Sequence, residues 1–140
     1  MIVVGVLLFL AISGVLARFL STEGVERDDL AALIDAQARG DVHGMLRELS
    51  GCRASPSCVA SARADAGRLR RPGNPKILSL KSRTAYSLTG ATGKTRLAWT
   101  VIGELPVVQC VEVRRTGNAL SGIEIALLSL SAPISSEGDC

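Results

Sequence analysis

The sequence predicts an α+β domain behind an N-terminal transmembrane helix, with about three helices packed on a curved antiparallel sheet of four to five strands. Three observations carry that prediction. Residues 1–17, MIVVGVLLFLAISGVLA, contain no charged side chain. From Ser21 to about Leu69 the apolar residues recur at helical spacing, and beyond Pro72-Gly73-Asn74-Pro75 the spacing changes to two. With 140 residues, the chain has room for one core after the apolar run and not for two. The expected organisation is an anchor or uncleaved signal over 1–20, an α+β domain over 21–134 and a tail over 135–140.

The N-terminal run is close to the ~20 apolar residues that a spanning helix needs, and it reaches Leu20 if Arg18 snorkels to the interface. Two other readings compete. Val15-Leu16-Ala17 offers the small residues that a signal peptidase accepts, although no basic stretch precedes the run. A core helix would show polar residues on at least one face. The domain is expected on the extracytoplasmic side of a membrane, or secreted if the segment is cleaved, because a short apolar segment before a small cysteine-containing domain indicates export. Arg18 and Arg27, which follow the run, pull weakly the other way.

STEGVERDDLAALIDAQARGD reads as an amphipathic helix with Val25, Leu30, Leu33 and Ile34 on its apolar side, closed by Gly40. Asp41 caps a short second helix in which Val42, Met45, Leu46 and Leu49 share a face, ending at Ser50-Gly51. Ser55 and Pro56 open a third helix, since proline at the first helical position loses no hydrogen bond. KILSLKS, RTAYSL, TRLAWTVI, VVQCVEVRR and IEIALLSL then read as strands, separated by turn residues at 90–93, 103–106 and 117–122. Alternation puts Leu97, Trp99 and Val101 on one face, as it does Val111 with Val113 and Ile123 with Ile125, and these faces are expected to pack on the helices.

LAALIDAQARGDVHGML, followed by a connecting helix and hairpin-linked strands, resembles the nuclear-transport-factor-2-like domains, the cystatin-like α+β rolls, in their membrane-anchored bacterial form. The resemblance covers roughly residues 25 to 132. It implies a cone between sheet and helices but no particular activity, because that family includes isomerases, dehydratases, hydrolases and domains without known chemistry.

Enzymes of that kind place a carboxylate, tyrosine or histidine in the cone. Tyr86, Glu112 and Glu124 are the strand candidates here, and alternation turns both glutamates to the face opposite the core. His43 falls on a polar side of its helix with no orienting partner in view. No catalytic, cofactor-binding or metal-binding residue is assigned. GATGKT, residues 90–95, lacks the first glycine of a P-loop and precedes a strand instead of a helix, so it reads as a hairpin turn.

Charge is unevenly spread along the chain. Residues 51–115 hold twelve Arg or Lys against Asp65, Glu104 and Glu112, while the segments before and after are acidic. Arg68, Arg70, Arg71 and Lys76, with Lys81 and Arg83 beyond them, form a candidate patch for a protein partner or anionic lipid headgroups. Nucleic acid is not expected, because one Trp, one Tyr and two Phe supply too few stacking platforms.

Cys52 and Cys58 flank RASPS. The spacing fits neither the redox C-x-x-C nor the usual zinc ligand spacing, whereas a loop cysteine and one in the first turn of a helix can bridge in an oxidising compartment. A disulfide between Cys52 and Cys58 is the reading adopted, with Cys110 and Cys140 as free thiols and Cys52–Cys110 as the other arrangement. The expected function is a non-enzymatic binding or interaction module; the alternative is an isomerase- or dehydratase-type enzyme using the cone. A cone filled by Trp99 and Leu97 would favour the first, and an ionisable group in a deep pocket the second.

Overall fold

The computed structural model describes residues 2–83, 90–118, 122–135 and 140. The chain is α+β, with helices α1 (Ile2–Arg39), α2 (Val42–Glu48) and α3 (Pro56–Arg68), a 3₁₀ turn at Cys52–Ala54, and strands β1 (Lys76–Ser82), β2 (Ala91–Thr100), β3 (Val107–Asn118) and β4 (Gly122–Leu130). The strands form one antiparallel meander in the order β1-β2-β3-β4. RTAYSL, with Tyr86, falls mostly outside the described residues. Ala91 to Gly93 belong to β2, where they pair with Arg115 to Val113, so the turn expected at 90–93 is already strand from Ala91.

The apolar run and the first amphipathic segment form one unbroken helix instead of two elements. No proline interrupts residues 2–39, which removes the usual cause of a kink. The expected transmembrane helix needs correcting: among the described residues no helix is long and apolar enough to cross a membrane. The charge-free stretch of α1 ends at Ala17, so it rises only about 24 Å, short of a hydrocarbon core of about 30 Å.

The helix ends follow local chemistry. Gly40 adopts φ 75°, a left-handed conformation that glycine enters without steric cost, and terminates α1. The Asp41 carboxylate accepts the Gly44 N–H at 2.9 Å and caps α2. The Ser55 hydroxyl accepts the Cys58 N–H at 3.4 Å and caps α3. At Gly44 a Cβ would stand 2.9 Å from the Ala36 Cβ, so the α1–α2 corner closes only over a residue without a side chain.

The core lies between the helices and one face of the sheet. Leu30, Leu33 and Ile34 of α1 and Met45 of α2 meet Leu97, Trp99, Val111, Val113 and Leu127, all at most 2% exposed. The alternation predicted for β2 and β3 is observed. Val25 departs from expectation: it is half exposed, and its neighbour Glu26 turns inward instead.

Candidate functional site

The direction of α1 across the sheet decides which side chains can act together. Glu26 meets Thr95 at one end, and the Ala38 carbonyl accepts the Arg71 N–H at the other, beside Trp99. Helix α1 therefore runs parallel to β2. From Glu26 to Ala38 the helix rises about 18 Å, and from Thr95 to Trp99 the strand extends about 13 Å in the same sense.

Between the helices and the sheet the large side chains are packed among the described residues. Trp99 and Leu97 are fully buried, and the indole N–H of Trp99 donates to Gln109 Oε1 at 2.9 Å while Gln109 Nε2 donates to the Ser131 carbonyl at 2.9 Å. Toward the β1–β2 hairpin, buried Glu26 forms an ion pair with buried Arg115 and accepts the Thr95 hydroxyl at 2.8 Å. Arg115 also donates to Ser82 Oγ at 3.3 Å. This carboxylate is held by two partners on two strands, which suits a structural tie better than a base awaiting a proton. The heptad-like run after Val25 gave little hint of it, because a charged residue beside an apolar one is normally read as solvent-facing.

Electrostatics at the surface are sharpest on the other face of the sheet. Lys81 lies opposite Arg96 in the β1–β2 register, and Arg83 donates its N–H to the Lys94 carbonyl at 2.9 Å. Period-two geometry puts these four side chains on the face turned away from the helices. Together with Cys140 they line a pocket of about 70 Å³. Glu112, opposite Lys94, is the nearby acidic strand residue and accepts the Ser129 hydroxyl at 3.1 Å. Lys81 and Arg83 stood at the edge of the basic string in sequence, but Lys94 and Arg96 lie more than ten positions further on and only pairing brings them in.

Arg68, Arg70, Arg71 and Lys76 lie toward the opposite end and are engaged differently. Arg68 pairs with buried Asp65 at 2.9 Å. Arg71 donates to the Leu105 carbonyl at 2.6 Å and sets its guanidinium 5.6 Å from the Trp99 ring centroid, closing the core like a lid. The Arg70 stem packs beside Gly40, and Lys76 opens β1 opposite Thr100. A second, wider groove of about 390 Å³ runs between α1 and the start of β1, lined by Arg27, Ile34, Asp35 and Ile77 among others, with no dominant charge.

The Cys52–Cys58 disulfide is present, with Cα atoms 5.2 Å apart, joining the turn after α2 to the first turn of α3. The expectation of free thiols at Cys110 and Cys140 is corrected: they form a second disulfide with Cα atoms 5.6 Å apart. Cys110 faces outward from β3, and residues after β4 follow that strand back, Ser131 donating to the Cys110 carbonyl and Ile134 to the Val108 carbonyl, both at 2.8 Å. A hairpin-by-hairpin reading leaves out such a returning tail, which is why Cys140 looked unpartnered.

His43 and Glu124 are exposed, and Glu112 is half-buried on the outer face. Among the described residues no group of three His, Cys, Asp or Glu side chains is placed to hold a metal ion. Two titrating groups stand apart. Burial and the neighbouring Asp28 push the Asp29 carboxyl above its usual range, and the Gly44 N–H, aided by Arg47, Arg39 and His43, holds the Asp41 carboxyl below it. Neither borders the cationic pocket. Compared with known proteins, the chain matches no protein family, no curated protein and no solved structure.

Proposed function

We propose that this chain is a membrane-tethered extracytoplasmic module that acts by binding and not by catalysis. The observation that carries the reading is the contrast along α1. Val3, Leu7, Leu8, Phe9, Leu10 and Leu16 are all more than half exposed, and four consecutive residues, 7–10, cover every side of the helix. A helix that is apolar all round finds its ordinary surroundings in hydrocarbon, since a protein groove would cover one stripe. The two disulfides support an oxidising compartment. The filled cone, with Glu26 committed to Arg115 and Thr95, supports binding over an isomerase or dehydratase role. The order of three helices followed by a four-stranded meander supports kinship with the nuclear-transport-factor-2-like rolls.

Density-gradient flotation of the full chain with phosphatidylcholine vesicles tests the tether. The protein floats, and Leu7→Asp/Leu10→Asp does not, while circular dichroism and both disulfides stay unchanged. A wild-type protein left at the bottom of the gradient refutes it. A reporter active only outside the cytoplasm, fused after Cys140, tests the compartment, and a silent but stably expressed fusion overturns that part.

A further inference from the structure

The fold places the cationic pocket and the apolar half of α1 at the same end of the molecule. Glu26 is level with Thr95, and Thr95 lies between Lys94 and Arg96 on β2, opposite Ser82 between Lys81 and Arg83. From Glu26 back to Ala17, the end of the charge-free run, α1 rises about 14 Å. From Thr95 back to Ala91, β2 extends about 13 Å in the same direction. The start of β2 is therefore about level with the point where the apolar run ends. Interfacial headgroups occupy about 5–8 Å beyond the hydrocarbon on each side of a bilayer. Lys94 and Arg83 stand about 10 Å past that level along the strands, and their long side chains can extend toward it.

We infer that Lys81, Arg83, Lys94 and Arg96 form a binding site for the phosphate of an anionic lipid headgroup in the same membrane that holds α1. Three features support this beyond charge alone. The four residues come from two paired strands, so the sheet fixes their spacing, and they border one small pocket instead of a dispersed surface. The pocket volume of about 70 Å³ suits a single compact group such as a phosphate and not a folded partner. Along the strands Lys94 and Arg83 stand about 10 Å beyond the end of the apolar run, within side-chain reach of the headgroup layer, while Lys81 and Arg96 back them about 17 Å beyond it. Arg70 and Lys76 lie at the other end, near Gly40 and Thr100, some 30 Å of helix beyond Ala17, where this membrane's lipids are out of reach. The Cys110–Cys140 disulfide keeps Cys140 at the rim of the pocket and so helps define its shape.

The inference rests on the tether proposed above, and the test separates the two. The full chain is purified in detergent with an equimolar mixture of phosphatidylglycerol and phosphatidylcholine, and retained lipid is read by native mass spectrometry. Wild type is expected to retain phosphatidylglycerol preferentially. Lys81→Gln/Arg83→Gln/Lys94→Gln/Arg96→Gln should reduce that preference at least about tenfold, since each surface cation contributes measurably to anionic-lipid attraction. Arg70→Gln/Lys76→Gln should leave it intact. Circular dichroism and disulfide mapping check folding; if the fourfold variant does not fold, Arg83→Gln and Lys94→Gln singly should each lower the preference. Equal retention of both lipids by a wild-type protein that still floats with phosphatidylcholine vesicles overturns the lipid site and spares the tether. Loss of the preference in Arg70→Gln/Lys76→Gln assigns the site to the wrong end and overturns it. Displacement of phosphatidylglycerol by millimolar inorganic phosphate, with phosphate bound equally well in the absence of lipid, overturns the lipid as the source. Failure of the wild type to float removes the tether and this site with it.

Discussion

The two halves of α1 belong to one helix yet follow opposite rules. From Val3 to Leu16 every described large side chain is exposed, and the residues are apolar on all sides. From Glu26 to Ala38 the helix buries Leu30, Leu33, Ile34 and Ala38 on one side and also takes in Glu26 and Gln37. Hydrophobicity by itself therefore does not say what is buried in this molecule. In the first half the described large side chains are left uncovered by the rest of the fold. The second half is buried because three elements converge on it, and those elements then tolerate a charge, provided that it is paired.

The largest effect expected from breaking this comparison is at Glu26, where the packed half begins. Glu26→Ala removes the carboxylate paired with the buried Arg115 guanidinium and should lower unfolding free energy by about 3–5 kcal/mol. Glu26→Met/Arg115→Met, which removes both charges, should recover most of that loss in chemical denaturation. If the double variant is as unstable as the single one, the pair is not the tie between helix and sheet described above.

Next comes the contrast inside the helix itself. Leu33 is fully buried and Leu10 is 59% exposed, so Leu33→Ala should cost about 2–5 kcal/mol of domain stability. Leu10→Ala should leave the domain transition within about 0.5 kcal/mol of wild type. Equal losses would show that residues 3–16 fold against the domain.

The packed half also depends on α2 and α3, whose junction is closed by Cys52–Cys58. Replacing both cysteines by Ala should lower stability by about 2 kcal/mol on chain-entropy grounds for so short a loop, with flotation unchanged. A loss of vesicle binding in that variant would connect the two halves in a way that their geometry does not suggest.

The smallest effect belongs to the cap that follows α1. Asp41→Ala should lower the melting temperature by the least of these changes at neutral pH, through loss of the cap. Since the folded Asp41 carboxyl is held below its usual value by the Gly44 N–H, its contribution is complete above the ordinary aspartate range and is lost as pH falls through the lowered folded value. Wild type and Asp41→Ala should therefore converge in melting temperature at the acid end of a pH series, and a gap that widened there would reverse the assigned sign.

Much of the local structure was legible in the residues. Asp41, Ser55 and Pro56 mark helix starts because their side chains or ring act on the backbone nearest to them, and Gly40 marks an end for the same reason. The alternation around Trp99 and Val111 named the buried face of the sheet because a strand's side chains alternate wherever it lies. The Cys52–Cys58 bridge was readable because both cysteines belong to one local turn.

What the sequence by itself determined was thus the helices-before-strands order, the caps of α2 and α3, the core face of β2 and β3 and the existence of a charge-free run at the start. Only the tertiary structure decided that Glu26 finds Arg115, that Cys140 returns to Cys110, and that Lys94 and Arg96 join Lys81 and Arg83 while Arg71 closes over Trp99. The physical reason is range. Caps, turns and alternation are settled by interactions within a few residues, whereas an ion pair between positions 26 and 115, or a disulfide 30 residues apart, exists only after the sheet has registered and the helix has docked on it.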